Sequence, residues 1–219
     1  MGGAIEIQHW GRVAYGEALT RQQAAVEERR AGRAPDRLFL LEHPPVVTFG
    51  RSGKPEHLRR PAAELAARGI EVHHVARGGD VTYHGPGQLV GYLVADLEAR
   101  REKDAHAWLR RIEASLIEAL ARLDVKGGRI EGWTGVFVDP SRPPRKIASI
   151  GVGLRGWISY HGFALNVTMD LAAWRDIVPC GLRGVEMTSV ERELDAAPTR
   201  GLFERTRAAV ACAFEAGFA

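Results

Sequence analysis

A chain of 219 residues, 45% hydrophobic and 26% charged, has the make-up of an ordinary globular protein with a sizeable core. Its net charge of +3 suits an acidic partner but falls far short of an arginine-rich nucleic-acid binder, and no apolar run approaches the length of a membrane span. The two cysteines, Cys180 and Cys212, exclude a disulfide framework and point to a reducing cytoplasm, and MGGAIEIQHW lacks the basic and apolar regions of a secretory signal.

Taken in order, Ala4–Gln8 reads as a short strand and Tyr15–Arg30 as a helix, ended by Gly32 and Pro35. Arg37–Glu42 and Pro45–Phe49 are apolar runs around His43-Pro44-Pro45, which predicts two buried strands with a proline-fixed bend between them. A polar loop, Gly50–Pro61, precedes a short helix over Ala62–Arg68. Strand-like runs then cover Ile70–Ala76 and Gln88–Leu97, with a polar connection between them. Asp104–Leu123 is the clearest helix. Trp108, Ile112, Leu116, Leu120 and Leu123 form one stripe, Arg110, Arg111 and Glu113 lie off it, and Asp104 is placed to cap. β-Branched and aromatic residues return over Arg129–Val138, and the stiff Pro140–Arg145 loop delivers the chain to Lys146. Lys146–Leu154 and Trp157–Thr168 read as a hairpin turning near Arg155-Gly156, and a last helix covers Thr199–Glu215. Short strands with few, separated helices predict an α/β fold of mixed sheets with flanking helices, not a doubly wound one. The absence of a linker or repeat in the sequence favours one domain over residues 1–219.

The densest chemistry lies between Arg77 and Gln88, RGGDVTYHGPGQ. Four glycines and a proline are interleaved with Arg77, Asp80, Thr82, Tyr83, His84 and Gln88. Glycine lets the backbone approach a ligand closely, and a plain turn needs few such polar groups, so the stretch reads as a substrate-binding loop. Two other signals lead nowhere. Gly151–Gly156 fits G-x-G-x-x-G, but the strand-like WISYHGFALNV follows where a nucleotide site needs a helix. His73 and His74 are strand neighbours facing opposite sides, and no other metal-ligand spacing occurs.

Cys180 sits between Pro179 and Gly181. A constrained backbone there suits a nucleophile, though the residues alone leave a small buried hydrophobe equally open. Cys212, in RAAVACAFEA, reads as a core residue of a helix. Lys146 opens an apolar strand, an unusual place for a lysine; it is either a solvent-facing strand end or a cation that lowers a thiol's pKa.

Motifs in combination add more. RGGDVTYHGPGQLVGY, KIASIG, HGFALNV, PCGL followed by TSV, and LEHPPVVTFGR resemble, in order and spacing, the octanoyltransferases of lipoate biosynthesis over roughly Leu41–Val190. Leu93 departs from the proline common there after the tyrosine. The resemblance implies a single α/β domain related to the catalytic domains of lipoate–protein and biotin protein ligases. It also implies transfer of an octanoyl group from octanoyl-acyl carrier protein to a lysine of lipoyl domains, those of 2-oxoacid dehydrogenase E2 subunits and of the glycine cleavage H protein. By it, Cys180 is the nucleophile and Lys146 the residue that lowers its pKa. Substrate contacts would be Arg77, Gly78, Gly79, Asp80, Val81, Thr82, Tyr83 and His84, then Ser149, Ile150 and Gly151, then Gly162, Phe163 and Ala164. For the base that deprotonates the acceptor lysine, Lys146 is the first candidate, with His84 or His161 as accessory candidates behind it. No cofactor, metal, nucleic acid or membrane is implied, and a cytoplasmic monomer is expected. The alternatives are an ATP-dependent ligase of the same fold, which would not need Cys180, and a non-catalytic acyl-binding protein. Arg51, Lys54, Arg59 and Arg60, or Arg142 and Arg145, are candidates for docking acidic partners.

Overall fold

A strand rich in β-branched and apolar residues buried on both faces belongs inside a sheet, and β6 (Gln88–Val94), buried throughout, is such a strand. The computed structural model describes residues 4–138, 143–179, 184–195 and 200–219. In chain order the elements before β6 are β1 (Glu6–Arg12), α1 (Tyr15–Arg30), β2 (Arg37–Glu42), β3 (Val46–Phe49), a 3₁₀ turn (Pro55–His57), α2 (Ala62–Ala67), β4 (Glu71–His74) and β5 (Val81–His84). After it come α3 (Ala105–Ala121), β7 (Gly127–Gly128), β8 (Val136–Val138), β9 (Arg145–Arg155), β10 (Ile158–Asn166), a second 3₁₀ segment (Leu171–Asp176), β11 (Glu186–Met187), α4 (Val190–Leu194) and α5 (Leu202–Gly217).

Among the described residues the strands form two sheets. The larger runs β1-β2-β6-β10-β9-β8-β7, with β11 also paired to β9; the smaller is β4-β3-β5. Both are mixed, and β9 and β10 form the hairpin expected around Gly156. One face of the large sheet packs Leu89, Leu93, Phe163 and Leu165 against α3 and α5, where Trp108, Ile112, Leu116 and Phe214 are buried. The other face is shared. α1 covers part of it, with Ala18, Ala25 and Val26 against Phe39, Val94 and Ile158; the small sheet stands over the rest.

The sequence reading of α1, β2 and β6 survives nearly residue for residue, and Asp104 caps α3 by accepting from the amides of His106 and Ala107. Four findings differ. The stretch Arg77–Gln88 is not all connection, because Val81–His84 forms β5 and pairs with β3. Glu113 is fully buried despite lying off the apolar stripe. Ser189 caps α4, a helix the sequence reading missed. Cys212 is exposed, because α5 buries Leu202, Thr206, Val210, Ala213 and Phe214, and residue 212 falls between the turns of that stripe. The expected starting residue of the last helix, Thr199, and Pro140–Arg142 of the stiff loop lie outside the described residues.

Candidate active site

The site begins as a row of small side chains. In the ladder β6-β10-β9, Val90 lies opposite Ala164 and Ala164 opposite Ser149; one step along, Tyr92 lies opposite Gly162 and Gly162 opposite Gly151. Since side chains alternate faces, these six share one face, and four of them are glycine, alanine or serine. A sheet surface so pared down leaves a trough between the flanking bulkier residues. Thr82 and His84 of β5, together with Arg77, Gly79, Asp80 and Tyr15, form its facing wall. Val81 and Tyr83, in the other phase of β5, turn away into the small-sheet core beside Val47, Leu65 and Trp174. Ile150 and Phe163 line the slot but are out of phase with its floor. Their side chains belong to the core under α3 and α5, so they reach the slot through backbone.

The glycine-rich segment is fastened down rather than free. The amide of Gly78 donates to the Val152 carbonyl at 2.8 Å, and the amides of Gly50 and Ser52 donate to the carbonyls of Asp80 and Gly79 at 3.1 Å each. At Gly151 the two strands of chain come so close that a Cβ would lie 2.8 Å from the Gly78 oxygen. Asp80 Oδ1 accepts from the Val81 amide at 2.6 Å. The buried Arg77 guanidinium donates through Nη2 to the Thr48 carbonyl at 2.7 Å and its hydroxyl at 2.9 Å. The Gly78 amide is thereby committed to Val152 and is not available to a ligand.

At the His161 end stands a cluster of neutral rings. His43 Nδ1–H donates to the Val13 carbonyl and Nε2 accepts from the Tyr92 hydroxyl, both at 2.8 Å, and burial pushes the imidazole down to about 4. His84 donates from Nδ1 to the Gln88 carboxamide at 2.8 Å, and burial holds it well below the ordinary histidine range. Burial, reinforced by the charge of Arg77, pushes His161 down to about 3. His161 has φ +56, a conformation that costs a non-glycine residue on the order of 1 kcal/mol. Its side chain borders both the slot and a second hollow of about 260 Å³ beneath α1, lined by Leu19, Gln22, Val26, Val75 and Tyr160.

Toward the other end of β9 lies Lys146. It is almost completely buried, its Nζ donates to the Thr134 carbonyl at 3.0 Å and it stands 5.4 Å from the centre of the Phe137 ring. β11 runs alongside it, pairing Met187 with Lys146. Cys180 and Gly181 lie outside the described residues. The glycine pattern Gly151–Gly156 lies in β9 and its turn and leads into β10, not a helix, and no cluster of three metal-ligating side chains occurs among the described residues. Of the basic candidates, Arg51, Lys54 and Arg59 are exposed after β3, on the loop bonded to the glycine-rich segment. Arg60 is tied to Asp176 and Arg145 to Glu193, and Arg142 lies outside the described residues. The sequence reading missed Tyr15, His43, Val90 and Tyr92. Tyr15 carried no signal, whereas His43 lies in the LEHPPVVTFGR run and Val90 and Tyr92 lie in RGGDVTYHGPGQLVGY.

Residues 14–215 match the family model of the lipoyl protein ligase A/B catalytic domain. An octanoyltransferase of Geobacter sulfurreducens is 44% identical over 210 residues, covering 96% of this chain and 83% of that protein. The chain belongs to this family. An octanoyltransferase of Myxococcus xanthus is 45% identical over 192 residues, which take in 87% of this chain and 54% of that protein. By membership the chain is an acyltransferase. In fold it resembles a bi-partite lipoate protein ligase from Thermoplasma acidophilum (TM-score 0.67, 18% identity, 99% of this chain and 84% of that one). It also resembles biotin protein ligase from Aquifex aeolicus (TM-score 0.53, 10% identity, 97% and 72%). The fold class read from the sequence is the one observed.

Proposed function

We propose that this chain takes an octanoyl group from octanoyl-acyl carrier protein and transfers it to a lysine of a lipoyl domain through a thioester on Cys180. The observation that carries the reading is the trough itself. A narrow slot floored by Val90, Ala164, Ser149, Gly162 and Gly151 suits an unbranched alkyl chain, and its floor strand β9 continues directly to Lys146. β11, which lies beside Lys146, begins six positions after Cys180 in the sequence.

The Cys180 thiolate attacks the carbonyl carbon of the incoming thioester, and the carrier thiolate leaves with the carrier's proton balance restored from solvent. The acceptor ammonium loses one proton and the amine attacks the new thioester; the nitrogen gives up a second proton, to solvent, as the C–S bond breaks, leaving an amide and the regenerated Cys180 thiolate. Each step exchanges or consumes a thioester, so no ATP is needed. Lys146 as an ammonium would lower the thiol's pKa from its usual value near 8.5. In its neutral form it is the first candidate to take the acceptor's proton; the imidazoles of His84 and His161, which burial holds far below the ordinary histidine range, are poor proton acceptors, against the accessory-base role expected from sequence. Acceptors would be the lipoyl domains of 2-oxoacid dehydrogenase E2 subunits and the glycine cleavage H protein, and the enzyme would act as a cytoplasmic monomer. Filling the slot with seven methylene and methyl groups contributes roughly 6 kcal/mol at about 0.8 kcal/mol each.

The shared fold with lipoate protein ligases supplies a second reading, an ATP-using ligase. One experiment separates the two: intact-mass spectrometry after mixing with octanoyl-acyl carrier protein. A gain of one octanoyl group, lost in Cys180→Ser and retained in Cys212→Ala, supports the thioester route. Product formed on a lipoyl domain only with ATP and free octanoate, with no adduct, overturns it.

A further inference from the structure

Glu113 on α3 is a carboxylate with no exposed surface, set behind the strand that carries Lys146. Its Oε2 accepts from Arg110 Nη1 at 2.6 Å and from Arg129 Nε at 2.9 Å. These two guanidinium groups, each more than two-fifths exposed, already neutralise it. Its Oε1 does something else: it accepts from the backbone N–H of Gly135 at 3.0 Å. That N–H is one end of the Thr134–Gly135 peptide. The carbonyl at the other end of the same peptide accepts from Lys146 Nζ at 3.0 Å.

A peptide unit is planar and stiff, so its two ends cannot turn independently. Fixing the N–H with a buried carboxylate therefore fixes the direction of the carbonyl that holds the amine. The peptide dipole lies the right way for this, N–H toward the anion and oxygen toward the cation. Gly135 permits the arrangement in two ways. Its φ of +129 suits only glycine, and a Cβ there would lie 2.7 Å from Lys146 Cε and 3.2 Å from Nζ. The carboxylate, the peptide and the lysine thus come from three separate parts of the chain, and none of their spacing is local.

We propose that Glu113 is a positioning residue for Lys146, acting through the Thr134–Gly135 peptide. The assignment rests on the reading of Lys146 as the cation that activates Cys180. Arg110 and Arg129 orient the carboxylate; Arg145, next to Lys146 in the chain, is paired with Glu193.

The test uses the full chain carrying Cys212→Ala, so that Cys180 is its one thiol, and reads the rate of iodoacetamide alkylation at pH 7 together with thermal unfolding. Glu113→Ala releases the peptide and should slow alkylation by between about tenfold and a hundredfold, the cost of misplacing an activating group by around 1 Å. In the Lys146→Ala background, Glu113→Ala should slow alkylation by less than about twofold further, since residues acting through one another are not additive. Where Glu113→Ala does not fold, Glu113→Asp, one methylene shorter and so withdrawn from the Gly135 N–H, takes its place, with the same loss expected and the same cancellation in the Lys146→Ala background. Equal losses with and without Lys146, or full-rate alkylation by folded Glu113→Ala, overturn the proposal. If Lys146→Ala alone alkylates at the rate of its parent, the reading of Lys146 fails, and the positioning role falls with it, by a result distinct from the other two.

Discussion

The three imidazoles at the His161 end of the slot make the fold sensitive to acid in a narrow window. His43 is the one to follow, since its neutral form is written into both its bonds: Nδ1–H to the Val13 carbonyl, Nε2 accepting from Tyr92. Unfolded, it would titrate near 6.5; folded, burial pushes it to about 4. The unfolded chain therefore binds the extra proton first. Stability is fully present above pH 6.5, falls as the pH drops toward 4 and falls no further below that. At pH 5 the loss from this group alone is about 2 kcal/mol. His161, at about 3, contributes a loss of similar size at that pH and His84 adds in the same direction, against a total stability of only about 5–15 kcal/mol. Asp104 and Asp176 are both held below the ordinary carboxylate range, by backbone amides and by arginines respectively, so their own losses come only at lower pH. The assay is urea unfolding by tryptophan fluorescence at pH 7.5 and pH 5.0, for the parent and for His43→Gln. The variant will be less stable at both pH values, but the drop between them should shrink by about 2 kcal/mol. An identical drop in parent and variant would mean that the imidazole is protonated in the folded state, and would refute the assignment of its tautomer.

Replacing Lys146 by alanine should slow formation of the octanoyl adduct and raise the pH at which iodoacetamide labels Cys180. The measurement must be made with Cys212→Ala, because Cys212 is exposed and would be labelled too; an unmoved labelling profile removes Lys146 from the mechanism. His161→Gly should open the slot into the hollow beneath α1 while relieving the strain at φ +56. Adduct yields across a series of acyl-carrier substrates should then favour chains longer than octanoyl by about fourfold per added methylene, and an unchanged optimum would show that the slot ends elsewhere. Arg51→Glu with Lys54→Glu, on the exposed loop beside the slot, should raise KM for octanoyl-acyl carrier protein and flatten its dependence on salt, with little change in kcat; a KM equal to the parent's at low salt would place the docking face elsewhere.

What the sequence made legible, and what it did not, follows from how far each signal reaches along the chain. α1 and α3 declare themselves within a few turns, because the apolar stripe and the Asp104 cap are local. The slot's floor is also half-legible: Ser149, Gly151, Gly162 and Ala164 are small residues in alternate positions, but only the register of β9 on β10 turns two short runs into one trough. β5 was hidden because its four residues sit among glycines and carry two phases at once, Thr82 and His84 for the slot and Val81 and Tyr83 for the small-sheet core. Cys212 was misread for a related reason: a run of alanines looks apolar on every side, and only the packing of Val210, Ala213 and Phe214 decides which side is buried. Glu113 is the extreme case. Its neighbours on α3 mark it as an outward residue, and its burial depends on Arg129 and Gly135, sixteen and twenty-two positions further on. A buried charge is tolerated only where its partners are complete. A carboxylate buried off its helix's apolar stripe therefore marks a place where the fold has gathered groups from several segments, and here the peptide so gathered is the one that holds Lys146.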